Sequence, residues 1–332
     1  AAMARRRWRC RCCAGLGLLG PLVPTLCYAA YEAYYARHVF DCGAPEAPRA
    51  AAAAAEGNLT TVHVAYASDA QGFPGLLSSM LSLARHLREP RECAIHLIVL
   101  AEDLPRAEGL AACFRRELAA LPAAPRVLLH EMRPLRLAVS NYQHGGVCDF
   151  QHCFARCYLH DYLPAAPRAI WLDTDTIVQA DVAPLYRMSM SHAVAGVPYR
   201  GYSAYDACEA TRGIEGLLRL RSGTFNTGVL LLDLRRWRAE GAAARVERWQ
   251  RKTPGCGEMV PLNLAFQFGF DRLDWRWNVH PLGAQFMYVP EACLGPARLL
   301  HWAGPFKPWR EYSAWRSYAG LAPKAGRAYE AQ

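Results

Sequence analysis

From Thr61 onward the chain alternates short apolar runs with segments of helical periodicity, and few architectures accommodate that alternation. The run Thr61-Val62-His63-Val64-Ala65-Tyr66-Ala67 reads as a strand that ends at Ser68-Asp69. A helical pattern follows over 75–87, with Leu76, Leu77, Met80, Leu83 and Leu87 on one face. A strand over 94–100, a helix over 107–120 and a strand over 127–129 come next. A longer helix over 150–162 then leads into a strand over 169–172. Strands separated by helices are joined by crossovers, so neighbours run parallel and helices cover both faces of the sheet. The expected class is α/β, a mostly parallel sheet flanked by helices. At 332 residues, 52% hydrophobic and 20% charged, the chain can bury a sizeable core in one large domain. No internal repeat of fixed period is found.

Upstream of the domain the composition changes twice. Arg5, Arg6, Arg7, Arg9 and Arg11 precede a mostly apolar stretch over 14–36, interrupted by Pro21, Pro24 and Glu32. Crossing a bilayer takes about 20 apolar residues, and basic flanks stay on the cytoplasmic side. The expected organisation is a cytoplasmic basic tail over 1–13, a signal-anchor helix over 14–36, a stem over 37–58 and a folded domain over 59–320. Tyr28, Tyr31, Tyr34 and Tyr35 resemble an interfacial belt and favour retention, whereas the two prolines favour a cleaved signal peptide. The sequon Asn58-Leu59-Thr60 and the thirteen cysteines suit an oxidising, luminal body. Cys10, Cys12 and Cys13 would lie on the cytoplasmic side, open to palmitoylation. The net charge of +9 draws five of its charges from the arginine cluster. The remainder is spread along the chain and suits an anionic ligand, so no nucleic-acid partner is expected. Gly15-Leu16-Gly17-Leu18-Leu19-Gly20 matches a dinucleotide fingerprint, but an arginine run precedes it and Pro21 follows. It belongs to the anchor.

The segment richest in chemistry is Ile170-Trp171-Leu172-Asp173-Thr174-Asp175, an apolar strand ending in two carboxylates at i and i+2. Open parallel sheets bind ligands beyond the carboxyl ends of their strands. Two carboxylates brought that close repel unless a positive charge stands between them. A divalent cation carrying a diphosphate supplies it, because hard cations take oxygen ligands. The bland alternative is a solvated turn with two surface acids. A second signal is His301-Trp302-Ala303-Gly304-Pro305-Phe306-Lys307-Pro308-Trp309. Histidine joining two carboxylates tilts the choice of ion toward Mn2+, with Mg2+ as the alternative. Gly304 lets the backbone approach a phosphate, and Lys307 offers a point charge to a departing diphosphate. Asp173, Asp175 and His301 are therefore candidate metal ligands, and Thr174, Gly304 and Lys307 candidate diphosphate contacts. A lone histidine beside tryptophan would otherwise be a packed core residue.

Together the two segments resemble family 8 of the retaining glycosyltransferases, in which D-x-D and H-x-x-G-x-x-K-P-W share one metal–diphosphate site. The resemblance spans most of residues 61–315. His63-Val64-Ala65-Tyr66-Ala67-Ser68-Asp69 is similar to the family's first strand, whose end contacts uracil, which implies base contacts for Ala67 and Asp69. Phe154-Ala155-Arg156-Cys157-Tyr158-Leu159 is similar to the helix whose basic residue, here Arg156, reaches the donor sugar. Phe225-Asn226-Thr227-Gly228-Val229 is similar to the segment whose asparagine, here Asn226, touches that sugar. Trp275-Arg276-Trp277-Asn278-Val279-His280 resembles the plant galacturonosyltransferase-like branch in particular.

The resemblance implies a GT-A type Rossmann-like fold, a UDP-sugar donor, a glycan or polysaccharide acceptor and retention of anomeric configuration. It also implies a single-pass type II protein of the Golgi membrane with a luminal catalytic domain; galacturonosyl transfer in cell-wall polysaccharide synthesis is one version. One departure stands out. Many members carry Asp-Gln four residues before a Leu-Asn pair, whereas Glu258-Met259 precedes Leu262-Asn263 here. The pectin-type branch also lacks the pair, so activity is not thereby excluded, but the donor sugar stays open. Arg156 or Arg200 would meet a carboxylated donor. Glu258 is a candidate for contacting the sugar and for nucleophile in a double displacement. The other course is front-face attack by the acceptor hydroxyl, with the departing phosphate taking its proton and Lys307 assisting.

Four other readings are open to the sequence. Asp173-Thr174-Asp175-Thr176 approaches the motif of aspartyl-phosphate phosphatases, but there the motif opens the fold and an Asp-Asp pair follows; this chain has no such pair. A non-catalytic binder of nucleotide-sugar or glycan is motivated by Glu258-Met259. Cys148, His152, Cys153, Cys157 and His160 bunch as zinc ligands do, yet contain no C-x-x-C, and core thiols or a disulfide are preferred. Arg235, Arg236 and Arg238 read as a solvated face, with an anionic polysaccharide as the functional alternative.

Overall fold

Burial on both faces of a sheet explains why its strands read as nearly unbroken apolar runs. A computed structural model describes residues 42, 59–134, 150–198, 224–267, 269–283, 289–304 and 307–309. The expected basic tail and anchor, Asn58, Cys148, Arg200 and residues beyond 309 lie outside the described residues, as does most of the expected stem.

Nine strands are present among the described residues: β1 Val62–Ala67, β2 Cys93–Val99, β3 Arg126–Glu131, β4 Arg168–Leu172, β5 Thr176–Val178, β6 Val194–Pro198, β7 Phe225–Asp233, β8 Asp271–Arg272 and β9 Leu299–His301. Seven form one sheet in the order β3-β2-β1-β4-β7-β6-β8. β1 to β4 are mutually parallel, as the alternation predicts. β7 runs antiparallel to both β4 and β6, and β8 is parallel to β6. The sheet is therefore mostly parallel with one reversed strand. Val64, Ile170, Leu172, Val229 and Leu231 pack into one core with helices Phe73–His86 and Leu104–Glu117. Ala65, Trp171, Leu230 and Leu232 pack into the other with Phe154, Leu159, Trp237, Val246 and Leu262. The chain leaves β1 for β2 on one side and places β4 on the other. That reversal opens a crevice beyond the carboxyl ends of β1 and β4.

Several boundaries differ from expectation, each for a local reason. The helix expected over 107–120 starts at Leu104 with Pro105 in its first turn, where a missing N–H costs nothing. β3 is longer than 127–129 because its ends, Arg126 and Glu131, are exposed at the sheet margin and carry no apolar signal. The helix expected over 150–162 is broken. Phe150–Phe154 and Leu159–Tyr162 are α-helical, and Ala155–Tyr158 between them tightens into a 3-10 turn. That turn carries Arg156.

Cys42, within the segment expected as stem, forms a disulfide with Cys293, 251 residues away. Cys153 and Cys256 are also disulfide-bonded, while Cys93, Cys113 and Cys157 are free. The Cys/His bunch around 148–160 thus follows the disulfide and core-thiol reading. Among the described residues no helix is long and apolar enough to cross a membrane.

Three histidines bridge β1, β2 and β3. His63 Nδ1 lies 3.0 Å from His96 Nε2, and His96 Nδ1 lies 2.9 Å from His130 Nε2. Burial, then the neighbouring His130, His63 and Arg126, lowers the pKa of His96 to about 3. Burial likewise takes His280 to about 3. Both are neutral in the folded chain but protonate near 6.5 once unfolded. The unfolded state thus binds more protons below pH 6.5, and stability falls as pH drops from there toward 3. Each histidine contributes a slope of about 1.4 kcal/mol per pH unit in that window. Urea unfolding at pH 7 and pH 5 checks this; an unchanged unfolding free energy would show that these rings are not buried neutral.

Candidate metal centre

The last residue of β4 hands the chain to a tight turn whose backbone is fully engaged. Asp173 N–H donates to Gly228 O (2.8 Å), extending the β4–β7 pairing by one residue. Thr176 Oγ1 donates to Asp173 O (2.8 Å), closing the turn. β5 then pairs antiparallel with β9, setting Thr176 opposite His301, and Trp302 N–H donates to Asp175 O (2.9 Å). This two-stranded ribbon brings His301 onto the carboxylates despite their distance in sequence.

Each ligand has one atom occupied by the protein and one aimed at a common point. Asp173 Oδ1 accepts from Trp171 Nε1 (2.8 Å) and Arg156 Nη2 (2.9 Å), which leaves Oδ2 facing His301 Nε2 at 3.8 Å. Asp175 Oδ2 accepts from Lys307 Nζ, while Oδ1 faces His301 Nε2 at 3.2 Å. Asp175 Oδ1 is buried with no hydrogen-bond partner among the described residues. His301 Nδ1 is taken by Asn278 Oδ1 at 2.9 Å. The free ligand atoms of Asp173, Asp175 and His301 lie within 4.8 Å of one another, the only such group of three among the described residues. Their chemistry, two carboxylate oxygens and one imidazole nitrogen, fits Mn2+ or Mg2+. A buried carboxylate oxygen without a donor is the orphan that a cation satisfies.

The surrounding charges support that arrangement. Burial alone would push the Asp175 carboxyl up, but the Lys307 ammonium and His301 hold it well below the ordinary carboxylate range. Lys307 also donates to Trp302 O and is itself buried. Burial works against the Arg156 guanidinium, yet Asp173 and Glu258 hold its pKa above the usual value. Arg156 further donates to Thr227 O and to Cys153 O, and stacks over Trp171 at 4.7 Å. Glu258 Oε1 accepts from Thr227 Oγ1 (3.1 Å) and lies 3.5 Å from Arg156 Nη2.

The remaining sequence candidates are held by contacts of their own. Ala67 ends β1, and Asp69 caps the following turn by accepting from Gly72 N–H at 2.8 Å. Thr174 is half-buried in the turn between the two aspartates. Gly304 is buried with its N–H on Leu282 O (3.0 Å). Asn226 Oδ1 accepts from Gly228 N–H (2.9 Å) and from Asn278 Nδ2 (2.8 Å). Sequence reasoning missed Trp171, Gly228 and Asn278. The first was read only as an apolar strand residue and the others only as parts of a resemblance.

Gly228 has a steric reason. A Cβ there would lie 2.1 Å from His301 Cε1 and 2.8 Å from Asp173 Oδ2, so β7 can approach the centre only without a side chain. Gly228→Ala should displace both ligands, weakening Mn2+ binding at least tenfold and costing about 1–3 kcal/mol of stability as overpacking does. Mn2+ titration and urea unfolding of the variant check this. Parental affinity in the variant would mean that the glycine is not needed at the centre.

Residues 63–313 match the family model described as Glycosyl transferase family 8. Probable galacturonosyltransferase-like 6 of Arabidopsis thaliana is 28% identical over 270 residues, covering 76% of this chain and 75% of that protein. Probable galacturonosyltransferase-like 7 of the same plant is 30% identical over 268 residues, covering 76% of this chain and 71% of that protein. Among solved structures, the galactosyltransferase LgtC in complex with donor and acceptor sugar analogs superposes with a TM-score of 0.54 at 18% identity. That alignment covers 79% of this chain and 95% of LgtC, and it shows the shared GT-A-like fold. Family and fold leave no place for the phosphatase reading: the chain belongs to glycosyl transferase family 8 and is a glycosyltransferase.

Proposed function

We propose that the chain transfers a sugar from a UDP-sugar to a glycan or polysaccharide acceptor, with retention, at a Mn2+ site formed by Asp173, Asp175 and His301. The observation that carries this is the convergence of two carboxylate oxygens and one imidazole nitrogen, from one half-buried and two buried residues, beyond the carboxyl end of β4. A bound divalent ion supplies Lewis acidity toward the diphosphate leaving group. Around the centre, Asp173, Asp175 and Glu258 set three negative charges against Arg156 and Lys307. A divalent ion turns that balance positive, which suits a diphosphate.

The chain's own residues have distinct tasks in this reading. Arg156 and Trp171 orient Asp173 so that one oxygen faces the ion. Lys307, held against Asp175 and the Trp302 carbonyl, places a cation where charge develops on the leaving diphosphate. Glu258 has an oxygen engaged by Thr227 and Arg156, which lowers its nucleophilicity. That pairing favours front-face attack by the acceptor hydroxyl over a double displacement. Arg156 is ion-paired and buried, so it does not stand free to meet a carboxylated donor. Galacturonic acid as the sugar is suggested by the names of the plant relatives, and a cell-wall polysaccharide is the acceptor such a donor would serve. The disulfides suit an oxidising compartment and support a Golgi-luminal domain behind the N-terminal anchor.

The test is UDP release by the purified full chain across a panel of UDP-sugars, with Mn2+ and with chelator. Metal-dependent release from one donor, lost at least a hundredfold in Asp175→Ala, is expected and names the sugar. UDP binding in Mn2+ without release from any donor, with or without added glycan acceptors, would instead make the chain a nucleotide-sugar binder.

A further inference from the structure

We infer that Asn278 is a positioning residue that decides which nitrogen of His301 faces the two aspartates, a role that rests on reading this centre as a cation site. The argument starts at a group with no choice. The Gly228 backbone N–H can only donate, so the Asn226 atom 2.9 Å from it is the carbonyl oxygen. That oxygen can only accept, so the Asn278 atom 2.8 Å away is the amide nitrogen. The other end of the Asn278 amide is then an oxygen, 2.9 Å from His301 Nδ1. An oxygen facing a ring nitrogen at that distance requires a proton on the nitrogen. His301 therefore keeps a proton on Nδ1, and Nε2 is the nitrogen left to face Asp175 Oδ1 and Asp173 Oδ2, where a cation would take the place of any proton it carries. Gly228, Asn226 and Asn278 form a chain in which each link fixes the next.

All three amide and ring groups are buried, so water does not offer the chain an alternative set of partners. Asn278 reaches the histidine from the residue after the 3-10 turn Trp275–Trp277, whose N-cap Asp274 and Arg276 are joined at 2.8 Å. The chain also constrains Asn226. Both lone pairs of its carbonyl are spent on Gly228 and Asn278, so it can meet a donor sugar only through its amide N–H.

Partners that orient a metal-binding histidine typically cost about 10- to 100-fold in metal affinity when removed. The test combines two readouts on the metal-free and Mn2+-titrated full chain. Nitrogen-15 NMR of labelled histidine, with His301→Gln identifying the signal, reports which His301 nitrogen holds the proton. The electron paramagnetic resonance signal of free Mn2+ reports affinity. The parent should show a protonated Nδ1. Asn278→Ala should lose that preference and bind Mn2+ about 10- to 100-fold more weakly. Asn278→Asp retains an oxygen toward Nδ1 and should keep the Nδ1 proton and most of the affinity. It should also unfold more easily, because its second oxygen meets Asn226 Oδ1. A bare Nδ1 in the parent would overturn the inference, as would an Asn278→Ala variant with parental tautomer and affinity. If Asn278→Ala does not fold, the parent and Asn278→Asp spectra decide. A parent with an Asn278-dependent Nδ1 proton but no Mn2+ binding would sink the cation reading while supporting the positioning chain.

Discussion

Three lone pairs aimed at one small volume are a liability that a fold must be built to hold. Asp173, Asp175 and His301 each bring one ligand atom within 4.8 Å of the others, and two of these atoms belong to carboxylates. Repulsion would splay them apart if their backbones were free. They are not: Asp173 is tied to β7 through Gly228, and Asp175 lies between β5 and the Trp302 amide of the paired strand. Arg156 and Lys307 neutralise the outward-facing oxygens, so each carboxylate is anchored at one atom and left bare at the other. Removing Lys307 would leave the buried Asp175 carboxylate without its cation, which is costlier than never having buried the pair.

The burial is graded. His301 is 2% exposed, Asp175 12% and Asp173 26%, so the centre opens on the Asp173 side. In the proposed reading a diphosphate and its sugar would approach the centre past Asp173, whose partner Arg156 is also paired with Glu258. The histidine, with Asn278 and Asn226 behind it, forms the closed end.

The parts of this arrangement legible in the sequence are those that local pattern encodes. β1, β2 and β4 announced themselves because strands buried on both faces leave uninterrupted apolar runs. The paired aspartates and His301 stood out because their residue types have few roles together. The reversed direction of β7 did not, since strand periodicity carries no sign. Neither did Asn278, whose neighbours Trp277 and Val279 are core residues and whose role exists only once Gly228 of β7 and His301 of β9 are brought together. Arg156 shows a third case. The residue type was legible as a site cation, but its partner was not, because the 3-10 turn that swings it under Asp173 interrupts what periodicity read as one helix.

The bond between Cys42 and Cys293 sets a leash. With the proposed anchor ending at residue 36, only six residue steps separate the bilayer from a point fixed on the folded body. An extended chain covers about 3.3–3.6 Å per residue, so that point stands no more than about 20 Å from the end of the anchor. If that anchor is retained, a domain on so short a tether would not sample the volume that a free stem of 22 residues would sweep. Its acceptors would be met close to the membrane surface, and reduction of this one bond would lengthen its reach without touching the catalytic centre.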